Sequence, residues 1–337
     1  MAFSGKMTAA NHADLLATIT AFITGDPAVP GRDWTVARQD ALEWGPATVF
    51  RNTGLAGSEE VHVGLYAATH GDGVRGGLVC KVYKRFDPAS PADGGTAFFD
   101  TVYGNGNGSK DTVSLLPCWN AGVNLWVWSN KARVFVVVDC NGLYGNAYLG
   151  QLRRFCLPSE NPWPLACLTD GYTNFWTNTS WHDSAQTKDG TTYKADVDRR
   201  SLPFVRRGCY PVGNYSYYQA CHQVCRPDGV WTSHFVMCPT ASLLSRLTIN
   251  ETDAQIDTLG TALVTPEGGK RCLLPLYVML LEADGSAATS PCLLGEPYGV
   301  RWAPDSLAAT GSDVDGFILF PDVNRTEWHS FMAVGDE

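Results

Sequence analysis

Five residues in one stretch of the chain carry metal or redox chemistry: Cys209, Cys221, His222, Cys225 and Cys238. Thiolates with an imidazole suit tetrahedral zinc. The Cys221-x3-Cys225 spacing, however, is looser than the paired knuckle of a structural zinc site, and no second tight pair accompanies it. Disulfide or structural-thiol chemistry is the preferred reading, with some of Cys209, Cys221, Cys225 and Cys238 pairing to brace a segment poor in aliphatic residues. The competing reading keeps these thiols reduced, buried and inert. The chain holds 11 cysteines, an odd number, so at least one has no partner within the chain.

Asp183, Asp189, Asp196 and Asp198 lie near Trp176 and Trp181. Paired carboxylates beside an aromatic platform are the ingredients of a sugar-cleaving site. Aspartates in solvated turns explain the same pattern more simply, and spacing alone does not fix the carboxylate separation that such chemistry requires. The chain has no Gly-x-Ser-x-Gly elbow and no His-Glu-x-x-His helix motif. Among 11 cysteines and 7 histidines nothing singles out a nucleophile and its base. Gly104-Asn105-Gly106-Asn107-Gly108-Ser109 lacks the Lys-Ser/Thr ending of a phosphate loop and reads as a flexible connection. No catalytic residue, metal or cofactor is assigned, and the chain is read as a non-enzyme.

The elements that position these residues follow from composition. Charged residues make up only 18% of the 337, with 34 glycines, 19 prolines and 11% aromatics, which favours strands and turns over helices. The formal charge of −9 argues against a dominant basic surface for nucleic acid. Basic residues run no longer than pairs, among them Arg153-Arg154, Arg199-Arg200 and Arg206-Arg207. No window reaches the ~20 consecutive apolar residues of a membrane-spanning helix. Met1-Ala2-Phe3-Ser4-Gly5-Lys6 does not read as a secretory signal, which points to a cytoplasmic site of synthesis. The cysteines and several sequons, three of them at Asn178, Asn214 and Asn250, point the other way, toward a secreted chain.

Leu15, Leu16, Ile19, Phe22 and Ile23 recur at helical spacing, with Thr8 or Asn11 as N-cap and Gly25 as a stop before Pro27. The apolar face should bury Leu15, Ile19 and Phe22 against the helix's own domain. From 34 to 86, short apolar runs separated by glycines predict an antiparallel meander, with turns at Gly71-Asp72-Gly73 and Gly76-Gly77. His62 falls opposite Val61 and Val63, and so on the solvent side. Val123, Leu125 and Val127 alternate up to Ser129-Asn130, and the run 133–138 returns, predicting a central hairpin. Prolines 158, 162 and 164 mark an ordered connector. Residues 171–238 are rich in Trp and Tyr and poor in aliphatics. Weak helical patterns follow at 243–247 and 253–259, then one apolar strand over 271–281 in which Pro275 implies an edge or a bulge.

The C-terminal block, 293–334, reads as a strand with Tyr298, Val300 and Trp302 on one face, a turn at 311–316, the strand 317–320, and a buried strand ending at Val334. Its Leu294-Gly295-Glu296, Gly299-Val300-Arg301-Trp302, the run Phe317-Ile318-Leu319-Phe320-Pro321-Asp322-Val323-Asn324-Arg325-Thr326, and Phe331-Met332-Ala333-Val334 resemble the C-terminal end of a family of tailed-bacteriophage virion structural proteins. Leu125-Trp126, Asn130, Arg133, the valine run to 138, Tyr144, Tyr148-Leu149-Gly150, Leu157-Pro158 and Asn161-Pro162-Trp163-Pro164-Leu165 resemble the middle of that family. Together these blocks cover about a third of the chain and contain no catalytic signature.

The resemblance implies a tail, baseplate or neck component, made in the host cytoplasm and present in multiple copies. Its partners would be other virion proteins, with neither nucleic acid nor membrane among them. The sequons are then accidental, and the many cysteines depart from the family pattern. The expected fold is mainly β, with antiparallel sheets in a sandwich or barrel-like arrangement, an N-terminal helix and an irregular aromatic and Cys-rich insertion. The expected parts are an arm at 1–26, a β-rich domain at 27–170, the insertion at 171–238, and a C-terminal β-rich part at 239–337 that packs with 27–170. The competing function is that of a secreted carbohydrate-binding or carbohydrate-active protein.

Overall fold

The computed structural model describes residues 1–42, 45–69, 75–89, 114–119, 122–140, 143–169, 223–232, 235–238, 273–280, 292–303, 313–314, 316–321 and 331–336. In chain order these form β1 (Ala2–Phe3), β2 (Met7–Ala9), α1 (His12–Ile23), β3 (Thr35–Leu42), β4 (Gly45–Asn52), β5 (Val61–Thr69), β6 (Arg75–Tyr83) and β7 (Leu115–Trp119). The middle supplies β8 (Val123–Ser129), β9 (Arg133–Cys140), β10 (Leu143–Arg154), β11 (Leu165–Thr169), β12 (Gln223–Cys225), β13 (Trp231–Thr232) and β14 (Phe235–Cys238). The end supplies β15 (Leu274–Pro275), β16 (Tyr277–Leu280), β17 (Cys292–Pro297), β18 (Val300–Ala303), β19 (Asp313–Val314), β20 (Phe317–Pro321) and β21 (Phe331–Gly335).

The protein is mainly β, as composition implies, and its sheets are open and antiparallel, none closed into a barrel. A central 11-stranded sheet lies between two five-stranded ones, β3 to β7 in sequential order and β15-β18-β21-β20-β19. Side-chain alternation along β8 to β11 produces this layering. Val123, Leu125, Val127, Val134, Val136 and Leu149 face the β3–β7 sheet, while Trp126, Trp128, Phe135, Val137 and Tyr148 face the C-terminal sheet. A continuous apolar run is what burial on both faces demands, and residues 134–138 of β9 have that pattern.

The β8–β9 hairpin is central, as the alternation predicts, and Val123, Leu125, Val127, Val134, Val136 and Val138 are all buried. The meander expected over 34–86 forms as β3 to β6, and β7, from beyond that stretch, adds a fifth strand beside β6. Gly76 and Gly77, expected in a turn, instead pair inside β6, while 71–73 lie outside the described residues. His62 is buried rather than solvent-facing, because β5 is covered on both faces and Phe86 folds back to within 5.9 Å of its ring.

Asn11 is the N-cap of α1, and its side-chain oxygen accepts from the backbone N–H of Ala13 and Asp14 at 3.0 Å each. Leu15, Leu16, Ile19 and Ile23 are buried, whereas Phe22 is only half-buried at the margin of the core. The helix spans layers, touching β5 and β6 of one sheet and β2 and β8 of the other.

The apolar run expected as one strand over 271–281 is divided. Leu274 and Pro275 form an edge strand of the C-terminal sheet, and after Leu276 the chain enters the central sheet as β16. Proline is tolerated at that edge because a neighbouring strand is needed on one side only. Residues 298 and 299 likewise turn between β17 and β18 instead of starting a strand. The sequence boundary at 238 falls within the sheet: β12 and β13 extend it from β11, β14 pairs with β16, and Trp231 packs in the core. The C-terminal part packs with the earlier one through β10 and β17. The patterns at 104–109, 243–247 and 253–259 lie outside the described residues.

Candidate functional site

β8, β9 and β10 meet the β17–β18 turn at the seam between the central and C-terminal sheets. In the β8–β9 turn the Asn130 side-chain oxygen accepts from the N–H groups of Ala132 and Arg133 at 2.8 and 2.9 Å, and its carbonyl accepts from the Trp34 indole at 3.0 Å. This turn delivers Arg133 into the interior with 0% exposure. Its Nη1 donates to the Trp128 carbonyl at 3.3 Å, and the guanidinium lies 5.8 Å from the Phe135 ring centre and 5.9 Å from that of Tyr148. Aromatic faces and a carbonyl offset part of the cost of burying that charge.

Tyr148 donates its hydroxyl to the Gln151 carbonyl and accepts from the Tyr298 N–H at 3.1 Å, tying β10 to the β17–β18 turn. Burial pushes the Tyr148 phenol far above its ordinary range. Gly299, at φ +64°, completes the turn; a Cβ there would stand 2.4 Å from the Gly335 carbonyl and 2.7 Å from Arg133 Nη2. Gly150, at φ +131°, brings β10 against the hairpin, where a Cβ would stand 2.2 Å from the Ala132 carbonyl.

Carboxylates staple the margins of the seam. Glu296 is buried, 2.8 Å from Arg153 and 3.7 Å from Arg301. Arg153 also covers the Tyr298 ring at 5.3 Å. Glu59, in the loop before β5, pairs with Arg154 and accepts from Gln151 Nε2 at 3.3 Å, linking the β3–β7 sheet to β10. The interior of the seam is a layer of rings, Phe320 against Trp126 at 5.0 Å and against Trp128 at 5.8 Å, and the exposed Phe3 stacks on Trp128 at 4.7 Å. Edge-to-face rings and directional hydrogen bonds make a rigid joint.

Of the residues singled out in the sequence, Cys209, Cys221, His222, the four aspartates, Trp176, Trp181 and the three sequons lie outside the described residues. Cys225 is a free, buried thiol on β12 whose Sγ donates to the Arg226 carbonyl at 3.6 Å, and burial pushes its pKa up to about 12. Cys238 ends β14, opposite Tyr277, on a different branch of the central sheet from Cys225.

The thiols the structure does assemble went unnoticed in the sequence. Cys80, Cys118, Cys140, Cys167 and Cys225 all line the core between the β3–β7 and central sheets. Burial raises Cys167 to about 12 and Cys118 well above its ordinary value, which disfavours the nucleophilic thiolate. Their signal was the placement of cysteine among valines and leucines, as in Leu78-Val79-Cys80, where it acts as a small hydrophobe. Arg133 and Glu296 carry no sequence mark of burial.

Among the described residues no cluster of three or more His, Cys, Asp or Glu is arranged to hold a metal ion. No described helix is long and apolar enough to cross a membrane. Comparison of the sequence with models of known protein families gives no match, and comparison with curated proteins gives none either.

Proposed function

We propose that this chain is a non-enzymatic structural component of a tailed-phage virion, placed in the tail, baseplate or neck and bound in multiple copies to other virion proteins. The observation that supports this reading is where the resembling blocks fall in the fold. Asn130 shapes the turn that delivers Arg133; Tyr148 and Glu296 bond across a single seam; and Gly150 and Gly299 allow close backbone approach there, so these residues serve to hold layers in fixed relation. A rigid stack with outward edges and loops is the form an assembly subunit needs, and those edges and loops would carry the contacts.

The test is to purify particles of the phage that encodes the chain and to quantify it by mass spectrometry, with a glycan-binding assay on the isolated protein in parallel. Several copies per particle with no glycan retained is the expected result. Absence from the particle together with saturable glycan binding would instead favour the carbohydrate-binding alternative.

A further inference from the structure

Helix α1 closes one end of the interface between the β3–β7 and central sheets, and it is anchored at both ends. At its C-terminus the Ile23 carbonyl accepts from the Trp34 N–H at 3.1 Å and the Phe22 carbonyl from Arg32 Nε at 3.1 Å. At its N-terminus the anchor is His12, the first helical residue, 4% exposed. Its Nε2 lies 2.6 Å from Thr69 Oγ1 at the end of β5, and the ring lies flat on Gly76 of β6, where a Cβ would stand 2.6 Å from Nδ1. Nδ1 is buried and has no hydrogen-bond partner among the described residues.

The site holds neutral imidazole well and imidazolium badly. A proton added to the ring would leave both nitrogens as donors, with Nδ1–H facing the Gly76 backbone and no acceptor. The charge would also sit in the first turn of a helix, where the dipole is already positive. Asp14 is the ionisable neighbour on the helix, and its exposed carboxylate is engaged by the Ala10 N–H at 2.7 Å. β2 and β8 contain no charged residue. On β5 the titratable groups are His62, at the far end, and Tyr66; on β6 they are Arg75 beside Gly76, then Cys80, Lys81 and Tyr83. None of the groups on these strands is an acid that would be ionised at neutral pH and so welcome a proton on His12.

We propose that His12 is an acid-released latch: neutral imidazole docks α1 across the two layers, and protonation frees the N-terminal segment. The sign follows from linkage. Burial lowers the folded-state pKa of His12 below 6.5, so the undocked form binds more protons, and docking weakens as pH falls below about 6.5.

Hydrogen exchange of the intact chain, followed from pH 7 to 5 and corrected for intrinsic rates, tests the latch. Exchange at Leu15, Leu16 and Ile19 should accelerate below pH 6.5, by up to about tenfold per pH unit, relative to the β8–β9 hairpin. In His12→Gln, whose amide reaches toward Thr69 without titrating, that slope should vanish, while His62→Gln should keep it. Equal slopes in wild type and His12→Gln, or no slope in wild type, would overturn the latch. Should His12→Gln fail to fold, the NMR titration of the wild-type His12 ring decides instead. A midpoint below 6.5 that coincides with loss of α1 protection supports the latch, and one at 6.5 or above with α1 still protected refutes it.

Discussion

The two faces of the central sheet are built from different chemistry. Toward β3–β7 it presents valines, leucines and thiols that meet similar side chains on the opposing strands. Toward the C-terminal sheet it presents Trp126, Trp128, Phe135 and Tyr148, with Arg133 and Glu296 bonded around them. Aliphatic and thiol side chains interlock by volume, so similar volumes can exchange at small cost. Rings and buried charges are fixed by direction as well as by volume, and each has partners that lose a contact when it is removed. The aliphatic face therefore supplies cohesion, and the aromatic face supplies a particular geometry between layers.

Trp128→Ala should show the largest effect, because this fully buried ring touches Phe3, Phe135 and Phe320. A loss of ~3–5 kcal/mol in denaturant unfolding is expected. A loss below about 1 kcal/mol would erase the distinction between the two faces.

Gly299→Ala comes next, at ~1–3 kcal/mol from backbone strain alone, with a further cost from crowding Arg133 and Gly335. Gly316→Ala is its control: φ is +82°, but nothing stands within 4 Å of the added methyl. Equal melting shifts in the two variants would mean that the seam adds nothing beyond glycine's conformational freedom.

Cys167→Ala on the aliphatic face should cost least, roughly 1 kcal/mol for one small buried group. The wild-type protein, denatured in an alkylating agent without reductant, should show the Cys167 thiol fully modified. A bridged Cys167 would convert the aliphatic face into a covalent one.

Alternation and turn residues made much of this fold legible. Val123, Leu125 and Val127 followed by Ser129-Asn130 predict the hairpin because a two-residue period has one structural solution. The same rule misplaced His62, since alternation says which residues share a face but not whether both faces are covered. Burial on both sides depends on layers contributed by distant segments. Strand 271–281 was divided for a similar reason: a continuous apolar run does not say that its two halves belong to different sheets. At the seam, Gly299 read as part of a strand and Gly150 carried no structural reading, because the close approach of Gly299 to Gly335 and Arg133 and of Gly150 to Ala132 arises only after distant segments converge. Arg133 reads as an ordinary surface cation until its aromatic neighbours are in place.

As the assembly subunit proposed above, the chain would use Arg133, Tyr148 and Glu296 as internal joints and carry its contacts on edges and loops. A reconstruction of the assembled particle with this chain traced in it tests that claim most directly. The expected map shows several copies with the seam of Arg133, Tyr148 and Glu296 closed within each subunit and neighbouring proteins seated on strand edges and loops. A map without the chain, or one in which a neighbour enters the seam and displaces those residues, would contradict it.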